Sequence, residues 1–136
     1  MLTKSALARD DTTRILNAAR AEAEKNGWAV AIAVVDAGGH PLALARLDGG
    51  APIGAYIATE KARTSAWGRR ESKGYEDMIN AGRNAFLCVP VLTGMLEGGV
   101  PLVVDGQVVG AVGVSGVKPD QDAQVARAGA ASVAAG

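Results

Sequence analysis

The spacing of apolar residues changes along the chain, and these changes divide it into helices and strands. In residues 5–26, apolar side chains recur every three or four positions with charges between them, and Gly27 follows. This spacing predicts an amphipathic helix that ends at the glycine. Residues 28–36 form a continuous apolar run rich in valine, and residues 41–48 alternate between apolar and polar side chains. The short segment Ala-Gly-Gly-His between the two runs predicts a hairpin of two strands.

The middle of the chain predicts a second helix and then becomes irregular. Pro52 follows a Gly-Gly-Ala break and is suited to the first turn of a helix. Residues 75–82 predict a short helical segment that Gly82 ends, and residues 85–89, AFLCV, are typical of a brief strand. Residues 90–99 give no assignment.

The C-terminal third predicts a hairpin followed by a helix. Strands are expected at 100–104 and 107–114, joined by the two residues Asp105 and Gly106. This pair is typical of a type I′ turn, in which both central residues need positive φ. Pro119 and two nearby aspartates then predict the first turn of an alanine-rich helix. The order of elements favours an α+β fold on one antiparallel sheet, and residues 1–136 form a single domain.

Composition narrows the class of partners. The 14 basic and 14 acidic residues cancel, so no strong field would attract nucleic acid or an anionic membrane. No run of about 18 apolar residues predicts a membrane span, and early charges argue against a signal peptide. The single cysteine fits a reducing compartment, so we expect a cytoplasmic protein. Only 4% of residues are aromatic, and 18 are glycine, which predicts a core of small, closely packed side chains.

The usual catalytic and metal-binding motifs are absent. The glycine-rich segments lack the frame of a phosphate-binding loop, and no nucleophile elbow is present. A zinc site within one chain is not expected, because His40 is the only histidine and Cys88 the only cysteine. Haem can be held by fewer protein ligands, so either residue could serve as an iron ligand. Cys88 is otherwise expected to be a small buried side chain.

Several residues allow a structural or a functional interpretation. Asp36 is expected to accept backbone N–H groups in the first hairpin turn, and His40 is expected to be exposed at the sheet end, with ligation or acid–base chemistry as the alternative. Arg46 would pair with Asp48 on an exposed edge, or bind a carboxylate or a haem propionate. Trp67 is expected to be a core residue, with a place in an intersubunit pocket as the alternative.

Two further groups remain open at this level. Glu60, Lys61 and Arg63 predict a solvated helix face, or else one basic residue directed into a pocket. The glycines around the second hairpin clear space beside the strands, which helix packing, a subunit contact or a flat ligand could fill.

Four segments together resemble the GlcG/HbpS family of haem-binding-like proteins, which also form the C-terminal domain of PduO-type adenosyltransferases. They are VVDAGGHPLALARLDGG at 34–50, KARTSAW at 61–67, LEGGVPLVVDGQVVGAVGVSG at 96–116 and PDQDAQVARAG at 119–129. The resemblance implies a profilin-like α/β/α arrangement around a five-stranded antiparallel sheet, assembled into homo-oligomers, either dimers or larger. It also implies a relation to haem, since some members bind or degrade it. The chain lacks the E-x-x-E iron-binding pair of the haem-sensing members.

The resemblance gives two functional expectations. The first is a small-molecule-binding protein that holds haem or a related tetrapyrrole in a pocket near a subunit interface. The expected ligand-binding residues are His40, Arg46, Lys61, Arg63, Gly98, Gly99 and Pro101, and the expected iron ligands are His40 or Cys88. The alternative is a catabolic enzyme acting on a small organic or aromatic acid. Arg46, Lys61 or Arg63 would then hold the acid, and His40 or an aspartate would move a proton, without a firm catalytic assignment.

Overall fold

Helices cover both faces of a four-stranded antiparallel sheet in the computed structural model, which describes residues 1–134. The elements are α1 (Arg9–Lys25), β1 (Ala31–Asp36), β2 (Pro41–Arg46), α2 (Pro52–Gly68), α3 (Lys73–Asn80), a 3₁₀ helix (Asn84–Cys88), β3 (Gly99–Val104), β4 (Gln107–Ser115) and α4 (Pro119–Ala134). The strand order is β2-β1-β4-β3. Helices α1 and α4 pack on one face of the sheet, and α2 packs on the other.

The predicted α+β class is confirmed, but the five-stranded sheet that the resemblance implied is wrong, because the sheet within residues 1–134 has four strands. The brief strand expected from AFLCV is wrong as well. Residues 85–89 lie almost entirely within the 3₁₀ helix Asn84–Cys88, not in a strand. None of the five side chains of this helix is buried, so the segment lacks the buried face that stabilises a strand. Its Phe86 ring instead packs against Tyr75 of α3, with ring centroids 5.7 Å apart. The apolar segment AFLCV therefore packs locally against α3 through Phe86 and does not join the sheet.

The two faces of the sheet bury side chains of different size. The face toward α1 and α4 carries large aliphatic residues, among them Ile32, Val34 and Leu102. The face toward α2 carries mainly alanines of β1 and β4, and α2 packs its own alanines against them. At Gly113 of β4, an added Cβ would collide with the carbonyl oxygen of Ala58 in α2. The helix backbone thus lies directly on the sheet, so at Gly113 helix packing is the one of the three alternatives that the structure shows.

The predicted hairpin of β3 and β4 is confirmed in detail. Asp105 has φ +51° and Gly106 has φ +75°, the positive pair that a type I′ turn requires. Other boundaries differ by a few residues. Helix α1 begins at Arg9 rather than residue 5, and β1 begins at Ala31 rather than residue 28. The intervening Trp28 donates its backbone N–H to Ala23 at the end of α1, so it belongs to the helix terminus.

Candidate functional site

The turn between β1 and β2 places the only histidine beside a carboxylate. Asp36 Oδ1 accepts the backbone N–H groups of Gly38 at 2.9 Å and His40 at 3.0 Å, as predicted for this turn. The Nδ1 atom of the His40 imidazole lies 3.3 Å from the same oxygen. Burial raises the pKa of the Asp36 carboxyl, but the two backbone N–H groups and the imidazole outweigh it and lower the pKa. Asp36 is therefore a carboxylate at neutral pH and can orient His40.

A cleft of about 390 Å³ opens beside this turn. His40 lines it and is 80% exposed, in agreement with its predicted place at the sheet end. Its lining also includes the apolar residues Leu7, Leu42 and Val109 and the basic residue Lys4. Residues 4–7 and Val109 are far from the turn along the chain, so no local pattern could have indicated them.

Helix α2 supports the turn from behind. Trp67 donates its indole N–H to the carbonyl oxygen of Gly38 at 2.6 Å, and Arg63 donates its Nε–H to that of Gly39 at 3.3 Å. Arg63 also pairs with Glu60 at 2.6 Å. Trp67 is 42% exposed, so its predicted place in the core is wrong.

Lys61 lies on a different side of α2 and does not reach this cleft. Its ammonium group donates to Asp122 Oδ2 at 3.1 Å and to the carbonyl oxygen of Val114 at 2.9 Å. Glu60 and Lys61 are both buried, so the predicted solvated face is wrong at these two positions. From the sequence, Asp122 was predicted only to be an acidic residue in the first turn of the last helix. No local pattern indicated that it pairs with Lys61.

The glycine-rich start of β3 is filled by α2. An added Cβ on Gly98 would lie 2.8 Å from the Lys61 ammonium, and one on Gly99 would collide with the Lys61 carbonyl. Pro101 is a sheet residue whose Cα partner is Ala111 of β4. The space cleared by these glycines is thus occupied by protein, and the ligand-binding role of Gly98, Gly99 and Pro101 stays a prediction.

Arg46 lies in a separate open pocket of about 580 Å³, which Arg20, Trp28 and Asp48 also line. Within residues 1–134, Arg46 makes no ion pair, so the predicted pair with Asp48 does not form. The structure therefore separates the three predicted acid-binding side chains. Only Arg63 is brought to the turn that carries His40.

Cys88 ends the 3₁₀ helix and is exposed, so its predicted burial is wrong. It lines neither the cleft beside His40 nor the pocket of Arg46. In the part of the chain that the structure describes, no three histidine, cysteine, aspartate or glutamate side chains are grouped to hold a metal ion. No helix among residues 1–134 has the length and apolarity needed to cross a membrane.

Comparisons with known proteins agree on one family. The family model described as "Haem degrading protein HbpS-like" matches residues 7–131. Protein GlcG of Escherichia coli K12 is 61% identical over 115 residues, which cover 85% of each chain. The crystal structure of HbpS superposes with a TM-score of 0.88 at 32% identity, over 96% of this chain and 92% of that one. The crystal structure of a PduOC:haem complex has a TM-score of 0.85 at 23% identity, over 95% and 96%, and shows the shared fold.

Proposed function

The chain belongs to the HbpS-like family, as the resemblance to GlcG and HbpS indicated, and from this we propose that it is a small-molecule-binding protein for haem or a related tetrapyrrole. The ligand would occupy the cleft beside His40, in a cytoplasmic protein. The description of the family model names haem degradation, and the relative PduOC has been crystallised with haem. Both facts concern relatives of this chain, and they support the choice of ligand.

The observation that carries the proposal is the pairing of His40 with Asp36. With Nδ1 facing the carboxylate at 3.3 Å, a neutral imidazole would direct its proton to Asp36 and keep the Nε2 lone pair for a metal. An imidazole held in this way would suit a ligand of haem iron. Cys88 lacks a place in the cleft, so of the two predicted iron ligands the proposal keeps His40.

The remaining residues of the cleft fit the other parts of a haem. Leu7 and Leu42 offer apolar surface for a porphyrin ring, and the Lys4 ammonium suits a propionate carboxylate. When bound, haem would supply an iron centre able to change oxidation state. The chain itself would hold that iron through His40 and orient the imidazole through Asp36.

A second copy of the chain would complete the site. Small-molecule sites usually bury about 70–90% of the ligand surface, whereas His40 is 80% exposed in one copy. The proposal therefore includes a homo-oligomer, a dimer or larger, whose interface covers the open side of the cleft. Exposed apolar residues beside the turn, such as Leu42 of β2 and Trp67 of α2, are available for such a contact.

A haemin titration tests the proposed ligand. The wild-type protein should give a saturable Soret band, and His40→Ala should abolish or displace it. Cys88→Ala separates the two predicted iron ligands and should leave the band unchanged. Lys4→Gln should weaken binding more than Lys25→Gln, because Lys25 is exposed on α1 away from the cleft. A wild-type protein that does not saturate, or an unchanged band in His40→Ala, would contradict the proposal.

A second candidate function rests on the Arg46 guanidinium, which makes no ion pair within residues 1–134. Lys61 and Arg63 are already paired with Asp122 and Glu60, so Arg46 is the one of the three that keeps its charge for an external carboxylate. An enzyme acting on a small organic or aromatic acid would bind it in that pocket. Thermal-shift measurements with such acids at millimolar concentration should then show stabilisation that Arg46→Gln removes. No shift with any acid would remove this candidate.

A further inference from the structure

Two side chains of α2 hold the backbone directly before His40. The indole of Trp67 and the guanidinium of Arg63 donate to the consecutive carbonyl oxygens of Gly38 and Gly39. We propose that Arg63 and Trp67 are positioning residues that fix the β1–β2 turn and thereby direct the His40 imidazole into the cleft. Their role in ligand binding rests on the proposed haem site, but their effect on the turn can be measured in the ligand-free protein.

The turn is held from two sides. Asp36 accepts the N–H groups of Gly38 and His40 through its side chain, and that of Gly39 through its backbone carbonyl at 3.0 Å. From the other side, two side chains of α2 donate hydrogen bonds to the carbonyl oxygens of Gly38 and Gly39. Because the backbone polar groups are bound on both sides, the turn has little freedom left to lose when a ligand binds. The imidazole on this fixed backbone is oriented in addition by Asp36 Oδ1, which lies 3.3 Å from its Nδ1.

Arg63 is itself held in one orientation. Glu60, whose side chain is 10% exposed, places Oε1 2.6 Å from an Arg63 Nη atom. Its other oxygen accepts the hydroxyl of Thr93 at 2.8 Å. The Arg63 guanidinium also lies over the Trp67 ring, 5.7 Å from the centroid. Glu60 therefore acts on the turn through Arg63, and the two donors of α2 support each other.

Gly39 allows the close approach of these donors. A Cβ at this position would lie 2.6 Å from the Trp67 indole nitrogen and 3.0 Å from Cγ of Arg63. The residue also has φ +81°, a conformation that favours glycine. Both facts fit a turn that is built against α2.

Amide hydrogen exchange in the ligand-free protein tests the positioning role. Trp67→Phe keeps an aromatic ring but removes the donor to Gly38, and Arg63→Lys keeps the charge but removes the planar fork. Each lost hydrogen bond should accelerate exchange at Gly38, Gly39 and His40 by up to about tenfold. The rate of haemin dissociation should rise by a similar factor, and the thermal midpoint of the ligand-free protein should fall by at most about 5 °C, since one hydrogen bond is lost.

Arg14→Lys is the matched control. Arg14 pairs with Asp11 at a spacing of three residues on α1, as Arg63 pairs with Glu60 on α2, but it is exposed and does not contact the turn. This variant should change neither exchange at the turn nor haemin dissociation. Glu60→Gln should give an intermediate effect, because it weakens only the support of Arg63.

The outcomes separate this inference from the proposed function. Unchanged exchange in both Trp67→Phe and Arg63→Lys would overturn the positioning role, whatever the protein binds. Faster exchange with unchanged haemin dissociation would also overturn it, since the turn would then not direct His40 to the iron. If the wild-type protein binds no haemin but exchange at His40 accelerates, the proposed function fails and the hold of α2 on the turn is supported.

Discussion

Lys61 and Asp122 form a buried ion pair that joins the helices on opposite faces of the sheet. The Nζ atom lies 3.1 Å from Oδ2, and each side chain is 4% exposed. The second carboxylate oxygen accepts the backbone N–H of Val117 at 3.1 Å, just before α4 begins. Burial raises the pKa of the Asp122 carboxyl, while Lys61 and the Val117 N–H oppose that rise. The pair therefore fixes α4 relative to α2 through a contact that leaves few polar atoms unsatisfied.

Removing one partner of this pair should strongly destabilise the protein. Lys61→Met leaves the Asp122 carboxylate buried without its cation, and we expect the free energy of unfolding to fall by about 3–5 kcal/mol. Urea denaturation measures the loss. The control is Lys73→Met, which breaks an exposed pair with Asp77 and should barely change stability. Equal, small losses in both variants would show that the buried pair is not needed to hold α4.

A side chain at Gly113 should force α2 away from the sheet. In Gly113→Ala the new Cβ collides with the Ala58 carbonyl, so we expect about 1–3 kcal/mol of destabilisation, measured by thermal unfolding. Gly74→Ala is the matched control in a helix, where the nearest atom is the flexible end of Arg70 at 3.3 Å. That variant should keep or slightly raise stability. A Gly113→Ala protein as stable as wild type would contradict the close packing of α2 on β4.

The stability of the first turn should depend on pH through Asp36. Its carboxyl has a lowered pKa in the folded protein, so the folded state favours the ionised form. This contribution is present above the unfolded value of 3.8 and is lost as the pH falls through the lower folded value. Between about pH 6 and about pH 2.5, Asp36→Asn should therefore lose less stability than wild type in thermal unfolding. Identical acid profiles for the two proteins would contradict the role of the carboxylate.

Cys88 should be dispensable for folding. Its thiol is exposed at the end of the 3₁₀ helix, so Cys88→Ser should change the free energy of unfolding by less than about 0.5 kcal/mol. The native wild-type protein should also react fully with a thiol reagent without denaturant. A slow reaction that needs unfolding would indicate that the side chain is covered, for instance in an oligomer.

Prediction from the sequence succeeded where a short stretch decides its own conformation. The type I′ turn at Asp105 and Gly106 follows from two residues, and the Asp36 turn follows from the few residues around it. Prediction failed at AFLCV, because apolar residues of that length form a strand only when a sheet edge and a buried face are available. The candidate site was predicted in part, since His40 and Arg63 were named but Lys4, Leu7 and Val109 joined them only through the fold.

The sequence by itself determined helices α1 to α4, the two hairpins and the family, because periodicity and turn residues act over short distances along the chain. The tertiary structure decided which charges are buried and with whom. Lys61 and Asp122 are 61 residues apart, and their pairing exists only because α2 and α4 are brought to the end of β4. The tertiary structure also decided what lies against the glycines at the start of β3. Protein interiors are closely packed, and the topology places α2 with Lys61 at this position, so these atoms fill the space that the missing side chains leave.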